Sequence, residues 1–180
     1  AADARAHNNF AFRWAAEHGR LAVCQWLTDA FHLTADDART DDNYALRNAA
    51  DGGHLDVCRW LTETFHLTAA DACALDNYAL QWSALNGHLA VCQWLTETFG
   101  LTDADVCDDF HRILEQAVIS GNLDVCQWLA EEFRLTADDA RIADTFALRF
   151  AAENGHLDVC RWLVEAFHLT SADARDARNY

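Results

Sequence analysis

A repeat of 34 residues constrains the fold of this chain more than any other feature. The string Val-Cys-(Gln/Arg)-Trp-Leu occurs five times, and each copy starts 34 residues after the previous one. A unit that opens at residue 9 gives the complete repeats 9–42, 43–76, 77–110, 111–144 and 145–178. Residues 1–8 match the end of a repeat and residues 179–180 match the beginning of one, so we expect a single repeat domain over 1–180 with a partial repeat at each end. Such regular periodicity predicts an array in which each unit packs against its neighbours.

Each unit has the hydrophobic pattern of short helices. In the second repeat, Leu46, Ala49 and Ala50 follow the i, i+3, i+4 spacing of one helix face. Gly53 then stands where a left-handed glycine would end that helix. Residues 55–65 form a second and more apolar segment, whose few polar positions fall on a single stripe.

A third element is predicted at the end of each unit. Thr34, Thr68 and Thr136 are each followed three residues later by an aspartate, which is typical of an N-cap at the start of a short helix. Three helices in each of five units, and no strand, predict an all-α fold of the α-solenoid type.

At residues 53–61 and 155–163 the sequence Gly-His-Leu-Asp-Val-Cys-Arg-Trp-Leu resembles the ankyrin-repeat family. Residues 45–50 occupy the place of that family's Thr-Pro-Leu-His-x-Ala-Ala motif, with Arg47 at the position of the histidine. The resemblance covers all five units and implies a fold of stacked ankyrin-like repeats. A tetratricopeptide array also has a period of 34 residues, but its two long helices do not fit a Gly-His break so early in the unit.

The chain departs from the family pattern in two respects. Tyr-Ala or Phe-Ala replaces Thr-Pro, so we expect Asp42 or Asn43 to cap the first helix in place of the usual hydroxyl group. The segment Phe-His-Leu-Thr-Ala-Asp-Asp replaces the family's β-hairpin and reads as helical. The finger-like hairpins of the family are therefore expected to be absent.

The charge balance excludes several classes of partner. The chain has 13 arginines, no lysine and 29 acidic residues, which gives a net charge of -16. Nucleic acids and anionic membranes bind through Lys and Arg, so neither is an expected partner. No apolar run has the length of a membrane span, and no signal peptide is recognisable. The missing initiator Met leads us to expect a chain trimmed from something longer.

The seven cysteines occupy two repeat positions. Five lie in the Val-Cys string, and Cys73 and Cys107 share the other position. Stacked helix layers are about 8–10 Å apart, whereas a disulfide needs Cα atoms within about 7 Å, so we expect seven thiols. The odd count fits a reducing compartment, and we expect an intracellular, cytoplasmic protein.

Neither a metal site nor an active site is expected. The nine histidines recur at helix ends, where structural hydrogen bonds explain them better than metal ligation does. Pairs of aspartates such as Asp36-Asp37 fall at helix starts, where they act as caps. The chain has no phosphate-binding loop or nucleophile motif, so we expect no cofactor and no catalysis.

The tryptophan of each Val-Cys-x-Trp-Leu string does not vary between units, which predicts that it packs between repeats: Trp26, Trp60, Trp94, Trp128 and Trp162. Positions that do vary are better candidates for recognition. After Ala-Ala, three units place an acidic residue, whereas the two middle units place Leu85 and Ile119. The family resemblance puts this position on the concave face.

The same middle units carry Leu75, Cys107 and Phe110 where other units have aspartate or small residues, and Trp82 precedes Leu85 by one helical turn. We therefore predict a partner-binding patch with an apolar centre and an acidic rim. It comprises Leu75, Trp82, Leu85, Phe110 and Ile119, with Asp51 and Glu153 at the rim. The alternative is that these side chains repack locally inside a diverging repeat.

The predicted function is that of a scaffold or adaptor without catalysis. It would bind a basic or amphipathic helical segment of another protein. One alternative is a structural spacer, or an array whose uncapped ends associate weakly through Trp162, Leu163 and Phe167. Another is a targeting domain of a larger enzyme.

Overall fold

The computed structural model describes residues 6–102, 110–136 and 144–170, and helices form most of these ranges. No strand occurs in them, which confirms the predicted all-α fold of stacked repeats. In chain order the helices are α1 (Ala6–Glu17), α2 (Leu21–Phe31), α3 (Ala35–Ala38), α4 (Thr40–Asp51), α5 (Leu55–Phe65), α6 (Ala69–Ala72), α7 (Ala74–Leu85), α8 (Leu89–Phe99), α9 (Phe110–Ile119), α10 (Leu123–Glu132), α11 (Asp144–Glu153) and α12 (Leu157–Phe167).

The structural period equals the sequence period. The second helix of each repeat begins at a leucine, and these leucines are spaced as regularly as the Val-Cys strings: Leu21, Leu55, Leu89, Leu123 and Leu157. A left-handed glycine separates the two main helices, as predicted for Gly53, whose φ is 73°. The amide of His54 donates to the carbonyl of Ala49 at 2.8 Å and closes the first helix.

The short third helix is confirmed in the first two repeats. At the start of α3, the backbone amide and the hydroxyl of Thr34 both donate to Oδ2 of Asp37, at 2.8 and 2.9 Å. Thr68 and Asp71 make the same pair of bonds at α6, at 2.7 and 2.9 Å. The helix predicted after Thr136 falls outside the described residues.

The expected capping of the first helix is wrong. Asp41, Asp42 and Asn43 all have left-handed backbones, with φ of 53°, 54° and 61°. The side-chain oxygen of Asn43 is buried and accepts no hydrogen bond from the described residues. Instead, the guanidinium of Arg47 reaches back, and its Nε and Nη2 donate to the carbonyls of Asp42 and Asp41 at 2.6 and 2.9 Å. A charged side chain from within the helix therefore holds the turn that starts it.

The third repeat has an equivalent turn. Leu75, Asp76 and Asn77 have φ of 53°, 55° and 57°. The amide Nε2 of Gln81, at the repeat position of Arg47, donates to the carbonyl of Asp76. Three consecutive left-handed residues without glycine are costly, so the side-chain bonds are needed to hold this backbone.

The helices group into two compact units. Unit 1 comprises Ala1–Ser83 with Ala90–Leu101, and unit 2 comprises Ala84–Leu89 with Thr102–Tyr180. In unit 1, the buried ring of Phe12 in the first repeat meets Trp60 and Phe65 of the second repeat edge-on, at centroid distances of 6.3 and 6.0 Å. The core of unit 2 contains Ile113, Leu114, Val118, Val125, Leu129 and Leu163. Aromatic and branched aliphatic side chains thus join successive repeats inside each unit.

The five tryptophans of the second helices are not equally buried. Trp94 is 9% exposed, and Trp60, Trp128 and Trp162 are half-buried. Trp26 is 60% exposed, so the prediction that all five belong to the core is wrong for this residue. The reason is positional: Trp60 packs against Phe12 of the preceding repeat, whereas Trp26 belongs to the first full repeat.

Among the described helices, none combines the length and hydrophobicity needed to cross a membrane.

Candidate functional site

Three of the predicted partner-binding residues lie in unit 1. Leu75 is exposed in the left-handed turn of the third repeat. Trp82 is exposed on α7 and stacks on Tyr78, with ring centroids 5.3 Å apart. Asp51 is the last residue of α4 and is half-buried. The apolar residues Leu75 and Trp82 are thus accessible to a partner.

Leu85, Ile119 and Glu153 lie in unit 2. Leu85 and Ile119 are the last residues of α7 and α9, and both are half-buried. Their carbonyl groups accept bonds from the following repeat, from Nδ2 of Asn122 at 2.7 Å and from Nε2 of His156 at 2.8 Å. Glu153 is exposed and lies 3.5 Å from Nε of Arg149 on α11. The side chain of Phe110 and all of Cys107 fall outside the described residues.

Unit 1 carries a row of aromatic side chains on its first helices. We call it the aromatic face, and it comprises Phe10, Trp14, Tyr44, Tyr78 and Trp82. Phe10 and Trp14 are about half-exposed, at 52% and 50%, and their ring centroids are 5.3 Å apart. Trp14 also stacks on His18 at 4.8 Å. A protein surface seldom exposes several large aromatic rings in one region without a partner for them.

Two arginines fix the rings of the aromatic face. The guanidinium of Arg13 lies 4.7 Å from the ring centroid of Tyr44. Arg47 lies 4.7 Å from Tyr78 and 5.9 Å from Tyr44, while its nitrogens hold the left-handed turn. Arg13 also pairs with Asp41. These distances are within the range of cation–π attraction, so the tyrosine rings are held in place before any partner binds.

Carboxylates lie beside the aromatic face. The hydroxyl of Tyr44 donates to Oε2 of Glu17 at 2.7 Å, and this bond, together with burial, raises the pKa of Tyr44. Burial, with the negative charge of Asp51, raises the pKa of Tyr78. Both phenols therefore stay protonated at neutral pH, and the negative charge near the rings is carried by Glu17 and Asp51.

Sequence analysis identified Trp82 but missed the rest of the aromatic face. The available signal was a comparison of the first helices position by position. Trp14 and Trp82 share a repeat position with Asn48, Gln116 and Phe150. Such variation was sought only at the positions after Ala-Ala, and for this reason Phe10 and Trp14 were not found.

A salt bridge joins the third helices of the first two repeats. Nε and Nη2 of Arg39 donate to the two carboxylate oxygens of Asp71 at 2.8 and 3.1 Å. Burial acts to raise the pKa of Asp71, but the bonds from Arg39 and Thr68 outweigh it and hold the pKa below its ordinary value of 3.8. The bidentate geometry is the strong form of this interaction.

We expect Arg39→Ala to lower the free energy of unfolding at pH 7 by about 1–2 kcal/mol, because Asp71 is left buried with fewer partners. Since the pKa of Asp71 is lower in the folded chain, the contribution of the pair is present above about pH 4 and is lost as the pH falls through the folded pKa. Urea denaturation at several pH values measures this, and the exposed Arg59→Ala serves as the control. A loss that is the same at pH 7 and pH 2.5, or a similar loss for Arg59→Ala, contradicts it.

The described residues include no group of three or more His, Cys, Asp or Glu side chains arranged to hold a metal ion. The cysteines of the Val-Cys strings are poor nucleophiles. Burial raises the pKa values of Cys24, Cys92 and Cys126 to about 12. It raises that of Cys58 as well. The thiolate is the reactive form of cysteine, so these groups are inert while the chain is folded.

The comparisons with known proteins agree with this architecture. The family model described as ankyrin repeats (3 copies) matches residues 12–106 and 49–139. None of the curated proteins that were compared matches the chain. The family match extends over more than half of the 180 residues and includes four of the five Val-Cys strings. The chain belongs to the ankyrin-repeat family.

Proposed function

We propose that this protein is an adaptor that binds a basic or amphipathic helical segment of a partner protein on the aromatic face of unit 1. Ankyrin repeats are in general protein–protein interaction modules. The observation that carries the proposal is the exposure of Phe10, Trp14 and Trp82 on first helices whose tyrosines are already fixed by arginines. Preorganised aromatic side chains are frequent anchors of binding energy.

The charge of the surroundings supports a basic partner. Glu17 and Asp51 lie beside the tyrosines, and the chain as a whole carries a net charge of -16. The guanidinium groups of Arg13 and Arg47 are occupied by Asp41 and by backbone carbonyls. A Lys- or Arg-bearing helix would place apolar residues on the exposed rings and its charges near these carboxylates.

The remaining residues of the predicted patch belong to the proposal as a second contact. Leu75 extends the exposed apolar surface of unit 1, whereas Leu85, Ile119 and Glu153 would act in unit 2. Phe110 is retained in this set from its sequence position. The odd number of cysteines supports a cytoplasmic, reducing environment for the interaction.

A peptide-binding experiment tests the aromatic face. A display library of amphipathic helices, half of them basic and half acidic, is selected on the protein, and the best binders are measured by fluorescence anisotropy. We expect basic helices to be enriched. Trp14→Ala combined with Trp82→Ala should weaken their binding at least about 10-fold, because two exposed anchors are removed.

Trp26→Ala is the matched control, since Trp26 is also exposed but lies on α2, outside the aromatic face. It should leave peptide binding unchanged. Equal binding by the double variant and the wild type, or equal enrichment of acidic helices, would refute the proposal. Leu85→Asp with Ile119→Asp tests the second contact in the same assay, and circular dichroism checks that this variant keeps its helices.

A further inference from the structure

The two ends of the repeat array expose side chains whose equivalents are buried inside it. On α2, Val23 is 45% exposed, whereas Val57, Val91, Val125 and Val159 are at most 1% exposed. Trp26, on the same helix, is exposed where Trp94 is buried, and Phe31 is half-buried. We call Val23, Trp26 and Phe31 the N-face, and it belongs to unit 1.

The opposite end shows the complementary pattern in unit 2. Leu148 is half-buried and Ala152 is exposed, although the residues at these two repeat positions are at most 3% exposed elsewhere: Phe12, Leu46, Leu80 and Leu114, and Ala16, Ala50, Ala84 and Val118. Leu157 and Val164 are exposed as well. We call Leu148, Ala152, Leu157 and Val164 the C-face.

Leu163 and Phe167 do not belong to the C-face, contrary to the sequence-based expectation. Both are buried, and Trp162 is half-buried. The packing inside unit 1 explains this, because Phe65, the equivalent of Phe167, contacts Phe12 of the repeat before it. These positions of a second helix therefore face the preceding repeat, which is present for Phe167.

The interior contacts show what each face normally meets. Phe12 packs on Trp60 and Phe65 of the next repeat. Leu148 is the equivalent of Phe12, and Trp26 and Phe31 are the equivalents of Trp60 and Phe65. The N-face and the C-face are thus the two halves of one repeat-to-repeat interface.

A glycine at the C-terminal end gives independent support. A Cβ atom built on Gly19 or Gly121 would collide with the imidazole of the next repeat, His54 or His156. The equivalent Gly155 has no atom within 4 Å of that position. Arg20 occupies the repeat position of these histidines in the first full repeat, and it is exposed. The space at Gly155 and the exposed Arg20 are the same contact with its two parts separated.

We infer that a second copy of this chain docks head to tail, with the N-face of one molecule on the C-face of the next. The interface is heterologous, so each molecule keeps one face available and the assembly extends rather than closing as a dimer. Two copies with a net charge of -16 each repel one another, so association is weak at low salt and increases as salt screens the charges.

Paired single-face variants provide the test. Trp26→Gln disables the N-face and Leu157→Gln disables the C-face, and since both residues are exposed, the fold should be retained in circular dichroism spectra. In sedimentation velocity at about 0.5 M salt, the wild-type mass should increase with protein concentration. Each variant alone should associate at least about 10-fold more weakly, whereas their equimolar mixture should form a 1:1 dimer that grows no further.

Three results would overturn the inference: a wild-type mass that stays monomeric up to about 1 mM protein, variants that associate as well as the wild type, or a mixture that stays monomeric. Trp82→Ala, on the aromatic face, should leave the association unchanged. If it abolishes the association instead, the aromatic face is the contact and the head-to-tail arrangement is wrong. The peptide-binding assay uses other residues, so the two proposals can fail separately.

Discussion

Replacing Trp94 with alanine is expected to lower the free energy of unfolding by about 3–5 kcal/mol, the usual loss for a large aromatic side chain removed from a core. Trp94 is buried on α8 of unit 1 and meets Phe99 edge-on, with the ring centroids 5.7 Å apart. Its removal leaves a cavity and takes one partner from Phe99. Chemical denaturation followed by circular dichroism measures the loss.

The control is the same substitution in α2. Trp26 has the same sequence neighbours and a similar edge-on contact with Phe31 at 5.9 Å, but it is mostly exposed. Trp26→Ala should cost no more than about 1 kcal/mol. Comparable losses for the two variants would mean that the position in the array does not decide the burial of these rings.

The second large effect is expected for Gly121→Ala in unit 2. Gly121 has a φ of 74°, which disfavours alanine, and the new Cβ would overlap the imidazole of His156. The backbone term costs about 1–2 kcal/mol and the overpacking about 1–3 kcal/mol. The variant should therefore lose about 2–5 kcal/mol of unfolding free energy in a urea titration.

Gly155→Ala separates the two terms. Gly155 has a φ of 79° but open space where its Cβ would lie, so only the backbone cost applies. A second comparison places Gly121→Ala in a His156→Ala background, where most of the overpacking cost should disappear. Equal losses at Gly121 and Gly155, together with no relief from His156→Ala, would show that the imidazole does not pack on the glycine.

The fold was predictable because its determinants are local and repeated. The apolar spacing of Leu46, Ala49 and Ala50, and the glycine at 53, recur in similar form in each unit and define helix faces and helix ends without reference to tertiary contacts. The Thr68–Asp71 cap is likewise confined to four residues. Local rules of this kind gave the correct helices wherever the structure describes them.

The features that were mispredicted depend on neighbours distant in sequence or on a side chain five or six residues away. Asp42 and Asn43 have the composition of helix caps, but the guanidinium of Arg47 selects a left-handed turn instead. Trp26 has the sequence of a core residue, and its exposure follows from its place in the array. Trp82 was identified, since a tryptophan at a variable position is visible in a single sequence.

The cysteines of the Val-Cys strings give this chain a measurable property that its solvent-facing residues lack. They are protonated and, except for the half-buried Cys160, fully buried, and there is one in each complete repeat. A thiol reagent modifies such a group only during a local opening of the helices around it. The rates of modification of Cys24, Cys58, Cys92 and Cys126, separated by mass spectrometry, thus give the free energy of opening repeat by repeat without any added label.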